Sequence, residues 1–109
     1  ITLANDVLQI NPERIKAYVA MGLAHLALGH TAEAAATWDR LAALPSADAK
    51  ADAASGRIDM ALFEGRDRDA LALLDAAIAQ DREAKNLTSV GRRLAIKADV
   101  LLAQGNRAA

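Results

Sequence analysis

Two histidines, His25 and His30, are the residues of this chain best suited to holding a metal ion. A pair of ligands on one helix needs a spacing of three or four residues. These two stand five apart with Gly29 between them, so no metal site is expected; His25 reads as a packed side chain and His30 as a solvated one. "GRDRDA" sets Asp67 and Asp69 beside Arg66 and Arg68. Paired carboxylates do acid–base work only in a desolvated cleft. At the start of a helix they cap free N–H groups and complement the dipole, and that is the role expected here. Ser46, Ser55 and Ser89 have no histidine close by in a nucleophile motif, and there is no glycine-rich phosphate loop. Arg92 and Arg93 form a basic pair without interleaved aromatics, too little for a nucleic-acid face. Asn86-Leu87-Thr88 matches a glycosylation sequon, a match that arises readily by chance. No catalytic residue and no cofactor is therefore expected.

Composition narrows the class further. Lysine plus arginine is 13 and aspartate plus glutamate 14, for a formal net charge of -1. This balance gives no electrostatic reason for a nucleic-acid or anionic-membrane partner. There is no cysteine, so disulfides and thiolate chemistry are excluded and reducing and oxidising compartments both stay open. No apolar run reaches the roughly 18 residues of a membrane span, so membrane insertion is not expected. The chain begins at Ile1 rather than Met, and is expected to be a piece of something longer. Hydrophobic residues make up 53% but aromatics only 3%; alanine, the best helix former, supplies much of the difference.

Apolar residues recur at three- and four-residue spacing almost throughout. Pro12 suits a first helical turn. Gly29, Gly65 and Gly105 each follow an apolar stretch ("LALG", "LFEG", "LAQG") and read as left-handed helix ends. Ser46, Asp67, and Asn86 or Thr88 are the expected N-caps. About six helices follow: 1–10, 13–28, 31–44, 47–64, 67–84 and 87–104, with connections so short that sequence neighbours should pack antiparallel. Thirty-six residues separate Gly29 from Gly65, and forty separate Gly65 from Gly105. Repetition at this period indicates stacked helical hairpins.

The best repeat reads Tyr18-x2-Met21-Gly22-x2-His25, then Ala34-x3-Trp38, then Pro45. It resembles the tetratricopeptide signature Trp-x2-Leu-Gly-x2-Tyr, Ala-x3-Phe, Pro, with His25 in the tyrosine slot as the clear departure. A second repeat keeps Gly65 and Ala70 and has Leu74 in the slot of Trp38, but puts Ile58 where the first glycine belongs. A third shows only its first helix, through Leu94, Ala98, Leu101 and Gly105. The resemblance implies an all-α, right-handed superhelical solenoid of antiparallel hairpins. It would form a single domain over 1–109, divided into 1–14 (tail of an earlier repeat), 15–48, 49–86 and 87–109. Gly22 and Ala34 would let two helices approach closely, and Trp38 would fill the space between that hairpin and the next, burying about 150–250 Å².

In tetratricopeptide proteins the first helix of each hairpin lines a concave groove that binds peptides. Carried over by position, that groove would present Lys16, Val19, Leu23 and Leu26, then Asp52, Ser55, Asp59 and Phe63, then Arg92, Ala95 and Asp99. Val19 and Leu23 occupy places where chaperone-tail binders carry carboxylate-clamping polar residues, so that specificity is not expected. The resemblance implies a protein-interaction module binding a peptide or helix of a partner. The alternatives are a self-association (homodimerisation) element, with an uncovered face on helix 87–104, or a regulatory domain of a larger enzyme or transcription regulator.

Overall fold

The computed structural model describes residues 12–108, so the expected helix 1–10 lies outside the described residues. The described residues fold into helices joined by short turns, with no strand among them. The helices are α1 (Pro12–Ala27), α2 (Thr31–Ala42), α3 (Ala47–Phe63), α4 (Asp67–Glu83) and α5 (Leu87–Ala108). None is long and apolar enough to cross a membrane.

Three of the turns share one device. Gly29 (φ 79°), Gly65 (φ 74°) and Lys85 (φ 58°) take the left-handed conformation just past α1, α3 and α4. The following amide then bonds back five residues: His30 to the His25 carbonyl, Arg66 to that of Ala61 and Asn86 to that of Asp81, each at 2.8 Å. This Schellman pattern satisfies carbonyls that a helix end leaves open. At Lys85 it is built on a side-chain-bearing residue, with no glycine to announce it. The expected stop at Gly105 is not made: α5 runs through it to Ala108. A glycine ends a helix only where the residues after it close the turn. Here the helix continues past it, at about 1 kcal/mol relative to alanine.

The turn between α2 and α3 is built differently. Ser46 Oγ accepts the Ala49 amide at 3.2 Å, the expected cap, and Lys50 Nζ donates to the Ala42 carbonyl at 2.7 Å. Asn86 Oδ1 likewise accepts the Ser89 amide at 3.4 Å at the start of α5. Asp67 is not the cap of α4. The turn at Gly65 leaves only Arg66 for that position, so Asp67 becomes the first helical residue. Arg66 instead bonds Glu64 at 2.7 Å and Asp69 at 2.9 Å.

The chain divides into two compact units, Ile1–Met60 and Ala61–Ala109. In the first, Ile15, Trp38, Leu41, Ala49 and Ala53 form the core, with Tyr18, Val19, Leu44 and Met60 packed against it. Trp38 is fully buried, as expected of it from the sequence. Two glycine backbones lie against its ring, one from the helix before and one from the helix after. A Cβ on Gly22 would sit 2.5 Å from Cη2, and one on Gly56 would sit 2.5 Å from Cε2 and Cε3. The close approach was expected of Gly22; Gly56 is its unforeseen counterpart, two residues before the Ile58 that holds the repeat slot. Arg57 pairs with Asp39 at 2.7 Å, and with the Lys50–Ala42 bond this fixes α2 and α3 as antiparallel.

In the second unit Ala70, Leu74, Ala77 and Ile78 of α4 are buried, as are Val90 and Val100 of α5. Asp81 with Arg93 (2.6 Å) and Asp75 with Lys97 (2.7 Å) bond across the two helices, so they run antiparallel. Of the basic pair Arg92 and Arg93, Arg93 is 2% exposed and donates through Nε to Asp81 Oδ2. The reason is helical phase. The residues of α5 turned inward are Ser89, Val90, Arg93 and Val100, and Arg92 falls outside that stripe.

Candidate functional site

The inward stripe of α1 is Ile15, Gly22 and Leu26, spaced by seven and four. Residues a further quarter turn round, Lys16, Val19, Ala20 and Leu23, form a flank beside it. On α3 the stripe Asp52, Ser55, Gly56 and Asp59 follows i, i+3, i+4, i+7 spacing and so shares one face. These two flanks meet over Trp38 and enclose a cavity of about 370 Å³, open on one side and mostly apolar in its walls. Trp38 forms the floor. The cavity exists because the glycines at 22 and 56 let the tryptophan sit low between the helices. Larger residues there would push the ring out of its place.

Of the eleven residues expected in a groove, Lys16, Val19, Leu23, Asp52, Ser55 and Asp59 line this cavity together. Leu23 is 44% exposed, so its side chain is presented rather than packed away. Leu26 is a correction: it is 6% exposed and belongs to the core. Three residues beyond Leu23 is about 60° short of a full turn, enough to carry Leu26 onto the stripe of Ile15 and Gly22. Phe63, Arg92, Ala95 and Asp99 lie in the second unit, where each is exposed. Ala20, Gly56 and Trp38 were not foreseen as lining residues. The helical spacing from Lys16 and from Asp52 contains the signal for the first two.

The polar groups sit on the two walls. Lys16 on α1 is 3.6 Å from Glu13, an exposed pair of little energetic weight. Ser55 Oγ is committed to the Ala51 carbonyl at 3.2 Å. Asp52 and Asp59 stand two helical turns apart, about 10 Å along the axis. Partial desolvation pushes the Asp59 carboxyl above its ordinary value. The indole Nε1 of Trp38 is buried with no hydrogen-bond partner. The cavity is large enough for one or two side chains of a partner, near the lower end of ligand pockets. It offers apolar contact, an acidic α3 wall and one basic residue opposite.

On the other side of α1, Arg14, Ala17, Tyr18 and Met21 form a second, shallower depression of about 270 Å³ with Arg40 of α2. Arg14 lies over the Tyr18 ring at 6.0 Å. His25 and His30 approach to 5.8 Å between ring centroids, tilted by 44°. His25 Nδ1 is buried without a hydrogen-bond partner. Among the described residues, no group of three or more histidines, aspartates or glutamates converges as a metal site would require.

Comparison with protein-family models, with curated protein sequences and with solved structures gave no match to this chain.

Proposed function

We propose that this chain is a protein-interaction module of the tetratricopeptide type, a solenoid of helical hairpins, which seats a segment of a partner protein in the cavity over Trp38. The observation that carries this reading is the convergence of Lys16, Val19, Leu23, Asp52, Ser55 and Asp59 on one concavity with a mostly apolar wall. Apolar side chains of the partner displace water from Val19 and Leu23 above the tryptophan floor, at roughly 25 cal/mol per Å² of apolar surface removed. Asp52 and Asp59 favour a lysine or arginine near the inserted side chain. Open to solvent on one side, they tune association rate and selectivity more than affinity. The partner is thus an extended or helical peptide pairing an apolar anchor with a basic neighbour.

Panning a random peptide display library on the 109-residue chain tests this reading. The expected outcome is an enriched consensus of one large apolar residue with lysine or arginine within a few positions, absent when Leu23→Glu is panned. No enrichment, or the same consensus on both proteins, would refute it.

A further inference from the structure

Helix α5 carries a second surface that the cavity does not use. Its inward stripe holds Ser89, Val90, Arg93 and Val100. About a third of a turn away lies an outward stripe at positions 87, 91, 94, 98, 101 and 105, alternating steps of four and three. The larger members are Leu87, Leu94 and Leu101, exposed to 72%, 42% and 49%. The smaller members are Gly91, Ala98 and Gly105, also exposed; at the two glycines no atom lies within 4 Å of a built Cβ.

The order of these residues has an internal symmetry. Counting outward from residue 96, Leu94 mirrors Ala98, Gly91 mirrors Leu101, and Leu87 mirrors Gly105. When two copies of one helix pack antiparallel about a two-fold axis level with residue 96, mirrored positions become opposite positions. Every leucine of the stripe in one copy then faces a glycine or alanine of the other, in six successive layers. A two-fold contact requires this kind of self-complementarity, in which residue i meets j and j meets i. Parallel pairing would stack leucine on leucine and glycine on glycine, wedging the helices apart at some layers and leaving voids at others. The antiparallel arrangement also opposes the two helix dipoles.

We propose that α5 is a homodimerisation surface, pairing antiparallel with α5 of a second copy through Leu87, Leu94 and Leu101 set into the gaps at Gly105, Ala98 and Gly91. The stripe runs about 27 Å along the helix, and pairing along it buries a total on the order of 1,000 Å², the lower limit for a specific interface. A contact of this size is expected to be reversible, and its strength is read from the concentration dependence below. It leaves the cavity over Trp38 unassigned and does not depend on it.

Sedimentation equilibrium of the 109-residue chain from about 5 to about 500 μM tests the proposal. The wild type is expected to pass from monomer to dimer and stop there. Ala98→Leu makes the face more apolar yet places leucine against Leu94 of the other copy, so it is expected to weaken dimerisation at least ~5-fold. Leu94→Ala with Ala98→Leu exchanges large and small within that layer and is expected to restore the wild-type constant within ~3-fold. Circular dichroism of each variant reports that the helices are kept. A wild type monomeric throughout, assembly beyond the dimer, or tighter association of Ala98→Leu would overturn the proposal. The last of these would identify the stripe as a generally adhesive surface for other chains.

Discussion

An alanine at position 56 would bring its Cβ to 2.5 Å from Cε2 and Cε3 of Trp38. In an exposed helix, glycine to alanine stabilises by about 1 kcal/mol. Here the new methyl must displace the ring, and the ring also has the Gly22 backbone against it, 2.5 Å from a Cβ built there. Overpacking of this kind costs about 1–3 kcal/mol, more when nothing can give. With both neighbours being backbone, the upper end applies, and after subtracting the propensity gain of about 1 kcal/mol Gly56→Ala is expected to destabilise the fold by about 2 kcal/mol. For a domain of this size that lowers the melting temperature by roughly 5–15 °C. Thermal melts followed by far-UV circular dichroism measure it, with Gly91→Ala as the internal comparison. That glycine is also helical but has nothing within 4 Å of a Cβ, so its replacement should stabilise by about 0.5–1 kcal/mol at low protein concentration. Combining Gly56→Ala with Trp38→Leu should recover part of the loss, because the two residues share one contact. A Gly56→Ala melting point equal to or above wild type would refute the account of how the tryptophan is seated.

Trp38→Ala, which removes the largest fully buried side chain, should cost about 3–5 kcal/mol in denaturant unfolding. Asp81→Ala leaves the buried Arg93 guanidinium without its carboxylate and should cost about 3–5 kcal/mol by the same measurement. An exposed pair such as Lys16–Glu13 should cost under 1 kcal/mol. Asp59→Asn should raise the melting temperature near pH 7 and leave it unchanged near pH 3. The Asp59 carboxyl titrates above its ordinary 3.8 in the folded chain, so its burial destabilises only as pH rises out of that range. A melting point lowered at pH 7 would show that the charged form is held by a partner instead.

Which features were legible in the sequence follows from how local their causes are. Gly29 and Gly65 mark helix ends because a left-handed residue is a property of one position and glycine takes it without strain. Lys85 takes the same conformation under the demand of the turn, and its residue type does not reveal this. Gly105 carries the same signal without the turn, so composition alone could not separate it from its two counterparts. The lining of the cavity was readable because Lys16, Val19 and Leu23, like Asp52, Ser55 and Asp59, keep a helical spacing. Leu26 was misplaced because it sits at the edge of that face, where only the position of the packing partner decides between core and surface. The Asp81–Arg93 pair and the seating of Trp38 against Gly56 join residues 12 and 18 positions apart across helices. Periodicity within a single helix does not carry such pairings.

Trp38 is the only tryptophan of the chain and forms the floor of the proposed binding cavity, so its emission is a built-in reporter of occupancy. The most direct test of the central claim is a fluorescence titration with a peptide enriched on the chain. A saturable change in Trp38 emission is expected, with a dissociation constant on the order of 1–100 μM. That change should be lost in Leu23→Glu while its circular dichroism stays that of the wild type. An unchanged emission while calorimetry detects binding, or an undiminished response in folded Leu23→Glu, would place the binding surface elsewhere and contradict the account.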